Sequence, residues 1–198
     1  MTDGHTARPL ILASASPRRA ELLRQIDIRF DIVTADVDET PHPEEAPGNY
    51  VERLAIAKAS AIAREHPGAL VLGADTTVVC DDQILGKPLG EADALDMLMR
   101  LSGRRHEVMT GVCVTDGMVM RSQVVTTAVL FAQLDRARAL RYWRTGEGAD
   151  KAGGYGIQGI GGILADRIEG SYSAVVGLPL RETEEMLEAF GYDTWQNR

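Results

Sequence analysis

The stretch ALVLGADTTVVCDDQILGKP, residues 69–88, decides how the chain folds. It opens on an apolar run, Leu70 to Leu72, whose branched residues suit a buried strand. The run breaks at Gly73 and then sets Asp75 among Leu72, Ala74, Val78 and Val79. A carboxylate in such company is costly to bury unless a metal, a cation or a proton answers it. After Val79 the chain turns at Asp81 and Asp82, returns through Ile84 and Leu85, and delivers Lys87 just before Pro88. A hairpin over these residues brings Asp75 and Lys87 to one rim, which suits a metal-bound phosphate ester. A structural ion pair on an ordinary hairpin is the plainer alternative, because ion-pair networks also mimic sites.

Upstream, Leu10 to Ala13 reads as a short strand, followed by Ser14, Ala15, Ser16, Pro17, Arg18 and Arg19. A helix follows over Ala20 to Ile26, with Ser16 as its N-cap and Pro17 as its first residue. Strand, tight turn and helix make an anion-binding plan. Arg18 and Arg19 sit at the positive end of the helix dipole, where each costs roughly 0.3 to 1 kcal/mol unless an anion docks there. The alternative is two arginines pointing into solvent; the serine hydroxyls beside them favour phosphate. Ile28, Phe30 and Ile32 alternate with Arg29, Asp31 and Val33 as a second strand, and residues 36–47 form an acidic, proline-rich loop. Asp38 and Glu39 lie in it, with little in their spacing to mark them as metal ligands. Asn49 and Glu52 resemble a capping box that starts a helix running to Glu65. Its apolar stripe of Val51, Leu54, Ala55, Ala61 and Ile62 carries Lys58, four residues from both Leu54 and Ile62. A lysine there either snorkels to the surface or serves Asp75 and the phosphate turn.

The charge balance, 21 basic against 29 acidic residues, gives a net charge of −8 and opposes general attraction to nucleic acid or anionic membranes. Any anionic ligand must be held by a local cluster. The 198 residues suit one domain, with an ordered core over about 9–192. Cys80 and Cys113, each in a strand-like run, fit buried thiols of a reducing compartment, and the cytoplasm is expected. The polar opening, residues 1–8, lacks the apolar core of a signal peptide, and no apolar run is long enough to span a membrane.

Downstream, Glu91 to Leu101 is a helix with Leu95, Leu98 and Leu101 on one side, closed by Ser102 and Gly103. A strand over Glu107 to Val114 turns at Asp116 and Gly117 into a long run from Met118 to Leu130. Thr110 and Gly111 mark a close backbone approach within it. Asp135 caps a helix carrying Leu140, Tyr142 and Trp143, aromatics that suit packing better than base stacking. Then comes DKAGGYGIQGIGG, residues 150–162, with six glycines. That much backbone freedom implies close approach to a ligand or many special turns. Gly154, Gly156 and Gly159 match the dinucleotide pattern G-x-G-x-x-G, but no strand precedes them and no helix follows. A P-loop also fails, since Asp81 stands where a glycine is needed and Pro88 where a hydroxyl is needed. What remains is a flexible-looking wall, with Lys151 for charge and Gln158 for hydrogen bonds to a base. Residues 163–168 and 171–176 follow, and a final helix spans Leu180 to Phe190.

Taken in order, SASPRR (14–19), GADTTVV (73–79), LGKP (85–88), HEVMTGV (106–112), DKAGGYGIQG (150–159) and GSYSAVVGLPL (170–180) make a pattern. The chain closely resembles the Maf family of nucleoside triphosphate pyrophosphatases from Leu10 to Phe190. The resemblance implies an elongated two-lobed α/β fold, with a central mixed sheet flanked by helices and a nucleotide cleft between the lobes. It implies hydrolysis of a nucleoside triphosphate between the α and β phosphates, with a divalent metal, Mg²⁺ or Mn²⁺. Arg18, Thr76 and Gln158 match the branch that resembles dTTP and UTP enzymes, not the branch for 7-methyl-GTP. Carried over in the same way, Asp75 is the catalytic proton acceptor, with Glu39, Lys58 and Lys87 as supporting polar residues. Thr77, where the family more often has valine, is a departure expected to alter packing. A homodimer is implied by the resemblance alone.

The chemistry agrees with that assignment. A triphosphate repels an attacking water until its charge is neutralised. Arg18, Arg19, Lys58 and Lys87 are the local cations, and Ser14, Ser16, Thr76, Lys151 and Gln158 complete the expected substrate contacts. Asp75 and Glu39 are the expected metal ligands, and Asp75 is also placed to orient or deprotonate water. Two other readings stay open: a nucleotide-sensing protein without turnover, and an enzyme of the same class with purine preference.

Overall fold

The computed structural model describes residues 8–195; the polar opening of residues 1–7 and residues 196–198 lie outside them. Seven strands form one mixed sheet in the order β2-β1-β3-β5-β6-β7, with β4 also paired to β3. The strands are β1 (Leu10–Leu12), β2 (Asp31–Ile32), β3 (Leu70–Cys80), β4 (Gln83–Leu85), β5 (Arg105–Thr115), β6 (Met120–Phe131) and β7 (Ala165–Glu169). The helices are α1 (Pro17–Gln25), α2 (Pro47–Glu65), α3 (Glu91–Leu101), α4 (Arg136–Trp143), α5 (Tyr172–Val176) and α6 (Leu180–Ala189).

β3 is the pivot of the sheet. It runs parallel to β1 through Leu70–Leu72 and antiparallel to β5 over Val71–Val79. Its side chains divide the molecule by alternation. Val71 points into a small core with Ala55, Ala59, Ile62 and Ala63 of α2. Leu70, Leu72, Ala74, Val78 and Cys80 point the other way, into the main core with Leu22, Leu23, Leu95, Leu98 and Leu187. Helices therefore cover both faces, as expected for a strand apolar on both sides.

Gly73 does not break the strand. A β-carbon there would lie 2.3 Å from the Ala55 carbonyl oxygen, and one at Gly111, its near neighbour on β5, would lie 2.4 Å from that of Val51. The two glycines let α2 press against the sheet backbone. The close approach expected at Gly111 is real, and the approaching group is this helix.

Local chemistry accounts for several element ends. Ser16 Oγ accepts from the Arg19 N–H with Pro17 at the first helical position, and Asp135 caps α4 in the same way. Asp81 and Asp82 both take positive φ, 53° and 58°, as a two-residue hairpin requires. The expected capping box of α2 is absent: the helix starts three residues earlier, at Pro47, capped by Ala46 without a side-chain bond. Pro at the first position, pre-set in φ, does the work assigned to Asn49. Ala61 turns outward from the α2 stripe, and β2 shrinks to two residues because only Asp31 and Ile32 reach β1. Residues 171–176, left without a type by their sequence, form α5, capped by Ser171. Both cysteines are buried thiols.

The short strands beside β3 create the functional feature. β1 covers β3 at 70–72 and β4 covers it at 78–80, on the same edge. Between them, among the described residues, no strand pairs with that edge of β3 at 73–77. The result is a notch in the sheet.

Candidate active site

A cavity of 560 Å³ fills the notch. The β1–α1 turn enters it from one end with Ser14, Ser16, Arg18 and Arg19, and the chain leaving β4 enters from the other with Lys87. Asp75, Thr76 and Thr77 of β3, Lys58 and Tyr50 of α2, Glu39, and Lys151 and Gln158 of the glycine-rich segment also line it. Every residue expected from the sequence to contact substrate or metal is thus brought to one place. A second groove, of 730 Å³ and more open, runs along the outer face of α2 past Asn49, Arg53 and Arg64 and holds none of them.

The floor is built around Lys58. Its Nζ donates to Asp75 Oδ1 at 2.7 Å and lies 2.6 Å from Glu39 Oε1. Lys58 and Asp75 are each only 8% exposed. Lys58 does not snorkel, because α2 sits so close to the sheet that its side chain ends at Asp75 on the same face. Glu39 reaches in from the acidic loop, whereas Asp38 stays outside, accepting from the Thr40 N–H at 2.9 Å. Burial opposes ionisation of Glu39, but the hydrogen bond and charge of Lys58, with Lys87 and Arg19 behind, outweigh it and hold the carboxyl below its usual range.

The opposite wall is organised by Arg19. Its Nε donates to the Gly177 carbonyl at 2.8 Å, and its two terminal nitrogens donate to Ser14 Oγ at 2.9 Å and Thr76 Oγ1 at 3.3 Å. Burial lowers its pKa, yet a guanidinium stays charged at any working pH. Arg18, half-buried at the mouth, lies 3.5 Å from Asp150 Oδ2. Lys151 donates to the Glu147 carbonyl and, at 2.7 Å, to Asp150 Oδ1.

Residues 9–190 match the family model described as Maf-like protein. The chain belongs to the Maf family. This Maf-family chain is 52% identical over 182 residues to the dTTP/UTP pyrophosphatase of Vibrio parahaemolyticus, covering 91% of this chain and 96% of that one. It is 48% identical over 198 residues to the dTTP/UTP pyrophosphatase of Saccharophagus degradans, covering 98% and 94%. The solved structure of the Staphylococcus aureus Ham1 protein overlaps loosely, with a TM-score of 0.46 at 17% identity over 63% of this chain and 72% of that one. That likeness is too distant to carry weight.

The glycine-rich segment of this Maf chain differs from its expected character. It is no loose wall but two short 3₁₀ turns, Ala152–Gly154 and Gly159–Leu164. Glu147 ties it down, accepting from the N–H groups of Ile160 at 2.8 Å and Gly161 at 2.7 Å, while Gly156 N donates to the Tyr142 hydroxyl at 3.0 Å. A β-carbon on Gly161 would meet the Gly156 carbonyl at 2.0 Å, so the chain here approaches itself.

Sequence reasoning passed over Tyr50 and Asp150, and read Thr110 only as marking, with Gly111, a close backbone approach. Tyr50 donates to the Glu39 carbonyl at 3.0 Å and so fixes the loop that carries Glu39. Burial first, then the Asp75 and Glu39 charges, push its hydroxyl up to about 12, which keeps it a neutral donor. It stands four residues before Leu54, the spacing that marked Lys58, and was legible on that ground. Thr110 had no such signal, because its role depends on which residue it faces across the sheet.

Among the described residues no group of three or more His, Cys, Asp and Glu side chains is arranged to hold a metal. Asp75 and Glu39 still present one oxygen each outside the Lys58 contacts. Two carboxylates fit the way Mg²⁺ is commonly held, with water and substrate phosphates completing the shell. No helix of the described residues is long and apolar enough to cross a membrane.

Proposed function

We propose that this protein hydrolyses dTTP and UTP to the nucleoside monophosphate and pyrophosphate. The observation that carries the reading is the buried Lys58 between Asp75 and Glu39, on the floor of a cavity whose mouth holds Arg18, Arg19 and Lys87. The names of the relatives at 48% and 52% identity support the substrates, as do Arg18, Thr76 and Gln158 lining the cavity together.

The triphosphate docks with its negative charge toward Arg18, Lys87 and the first turn of α1, whose N–H groups and dipole favour an anion. Lys58 holds Asp75 in place through Oδ1. The second carboxylate oxygen takes a proton from water as that water attacks the α-phosphorus. The new bond joins the water oxygen to the α-phosphorus; the bond to the α–β bridging oxygen breaks, and pyrophosphate leaves with its electron pair. Asp75 returns the proton to solvent or product. Asp75 and Glu39 would hold a divalent cation, Mg²⁺ or Mn²⁺, which when bound neutralises phosphate oxygens.

The test is pyrophosphate release from dTTP, UTP, 7-methyl-GTP and ITP with Mg²⁺ or Mn²⁺, comparing the wild type with Asp75→Asn. Turnover of dTTP and UTP is expected, falling by a factor of about 10³ or more in the variant, whose melting curve stays cooperative. Equal rates in the two proteins would remove Asp75 from the chemistry. Nucleotide binding without turnover would make the protein a sensor, and preference for either purine would overturn the substrate assignment.

A further inference from the structure

Thr76 and Thr110 face each other across β3 and β5, on the side of the sheet opposite Asp75. Their hydroxyl oxygens are 2.9 Å apart, a distance that leaves the direction of the bond open. Their neighbours settle it. Thr110, fully buried, places Oγ1 2.8 Å from the Ala174 carbonyl oxygen, which can only accept. The one hydroxyl hydrogen of Thr110 is therefore committed to Ala174, and the bond between the threonines runs from Thr76 to Thr110. On its other side Thr76 Oγ1 accepts from Arg19 at 3.3 Å, and a guanidinium can only donate. A hydroxyl has one hydrogen and two lone pairs. With the hydrogen used on Thr110 and one lone pair on Arg19, Thr76 keeps a single lone pair for the cavity it lines.

We propose that Thr110 is a positioning residue for base specificity: by committing its own hydrogen to Ala174, it makes Thr76 an acceptor and never a donor toward the bound base. This rests on the reading of the site as one for pyrimidine triphosphates. In uracil and thymine attached to sugar through N1, the only ring N–H is at N3, and cytosine carries a lone pair at that atom. The Thr76 lone pair thus meets a hydrogen in UTP or dTTP and another lone pair in CTP. A site built to hydrogen-bond one pattern rejects its inverse strongly, since a buried polar group is left unmatched. Gly177, held at a φ of +132°, lies beside Thr76 and Arg19, where an added β-carbon would come into ordinary contact at 3.6 Å with both Thr76 Oγ1 and Arg19 Nε. Gln158, on the wall of the same cavity, can donate its amide N–H to a flanking carbonyl oxygen.

The experiment measures kcat/KM for UTP, CTP and N3-methyl-UTP with the wild type, Thr110→Val and Thr110→Ser, each checked by thermal melting. The wild type should prefer UTP to CTP and reject N3-methyl-UTP. Valine keeps the shape but removes the acceptor, so the Thr76 hydroxyl can turn its hydrogen toward cytosine N3. The UTP-to-CTP ratio should fall by about tenfold, the worth of one hydrogen bond, and serine should restore it. A purely structural role for Thr110 would slow both nucleotides alike and leave the ratio unchanged, which overturns the proposal. Ready turnover of N3-methyl-UTP by the wild type would overturn it too, even if the valine variant fails to fold. A wild type that turns over neither pyrimidine would instead bring down the reading of the site itself.

Discussion

Replacing Lys58 by Met keeps the length and apolar stem of the side chain but removes the one charge that touches both carboxylates. The contacts of 2.6 and 2.7 Å to a single nitrogen place the Glu39 and Asp75 oxygens no more than about 5.3 Å apart. Two negative charges at that separation repel by about 3 kcal/mol at an effective dielectric of 20. Left in place, that repulsion disfavours having both carboxylates ionised at once. Truncating one member of a buried pair costs about 3–5 kcal/mol. Glu39, whose side chain is 49% exposed, can swing into water and relieve part of this, so the lower end applies. A loss of about 3 kcal/mol lowers the melting temperature by roughly 6–12 °C in a domain of this size. The assay is thermal unfolding at pH 7 of the wild type, Lys58→Met, and Lys58→Met combined with Glu39→Gln. Neutralising Glu39 removes the repulsion, so the double variant should recover stability relative to Lys58→Met, a coupling opposite in sign to two independent losses. A Lys58→Met protein melting within about 2 °C of the wild type, or a double variant less stable than the single one, would refute the reasoning.

Gly73→Ala and Gly111→Ala should each destabilise by about 3 kcal/mol or more, because the added methyl meets backbone oxygen of α2 at 2.3 or 2.4 Å. Each should also depress turnover by shifting Lys58 away from Asp75; a variant with full stability and activity would show that α2 is not held against the sheet as described. His106 supplies a pH effect. Buried against Phe131 and bonded through Nε2 to the Tyr155 hydroxyl at 2.8 Å, it is pushed by burial from 6.5 down to about 4. The unfolded chain binds this proton more readily, so the contribution is intact above pH 6.5 and is lost as pH falls toward 4. The loss reaches about 2 kcal/mol by pH 5. Urea unfolding at pH 7 and pH 5 should show that much smaller a drop in His106→Gln than in the wild type, and equal drops would refute the assignment.

Where one residue's chemistry sets the local backbone, the sequence was readable. Ser16 before Pro17, the Asp81–Asp82 turn, Gly103 after Leu101 and Asp135 before Arg136 all act within a few residues, and each stands where expected. Gly73 misled for the same reason. Its local signal, a strand break, is overridden by a helix pressing from 18 residues upstream, a contact invisible in a short window. The site divides in the same way. Lys58 was legible because a lysine on an apolar helical stripe violates its own pattern, and Asp75 because it interrupts an apolar strand. Glu39 sits in a loop whose sequence has no pattern to violate, and only the resemblance named it. Thr110 stood out only beside Gly111 as a close backbone approach; its partnership with Thr76 comes from the register that sets it opposite that residue and beneath Ala174.

The notch explains why those residues can act together. Leu70 N–H reaches the Pro9 carbonyl, and the Leu72 carbonyl accepts from Ala13 N–H, so even-numbered residues of β3 turn their backbone groups toward the β1 edge. By the same alternation Ala74 and Thr76 direct theirs into the notch. An open strand edge is ordinarily a liability, a template for unwanted pairing. Here it is kept short from both ends. β1 ends at Leu12, where the chain turns toward the helix opened by Pro17, and β4 ends at Leu85, shortly before Pro88, which has no N–H to continue a ladder. One more pair of residues on either strand would occupy the space that Arg19 and Lys87 now border. The other edge of β3 is paired with β5 without interruption from Val71 to Val79, so the notch weakens the strand on one side only. Asp75 therefore sits on a strand held rigid by β5, faces the cation of a helix pressed close by two glycines, and stands beside the single gap in the sheet edge, among the described residues, where a nucleotide can lie against it. The chemistry of the site follows from where two short strands end.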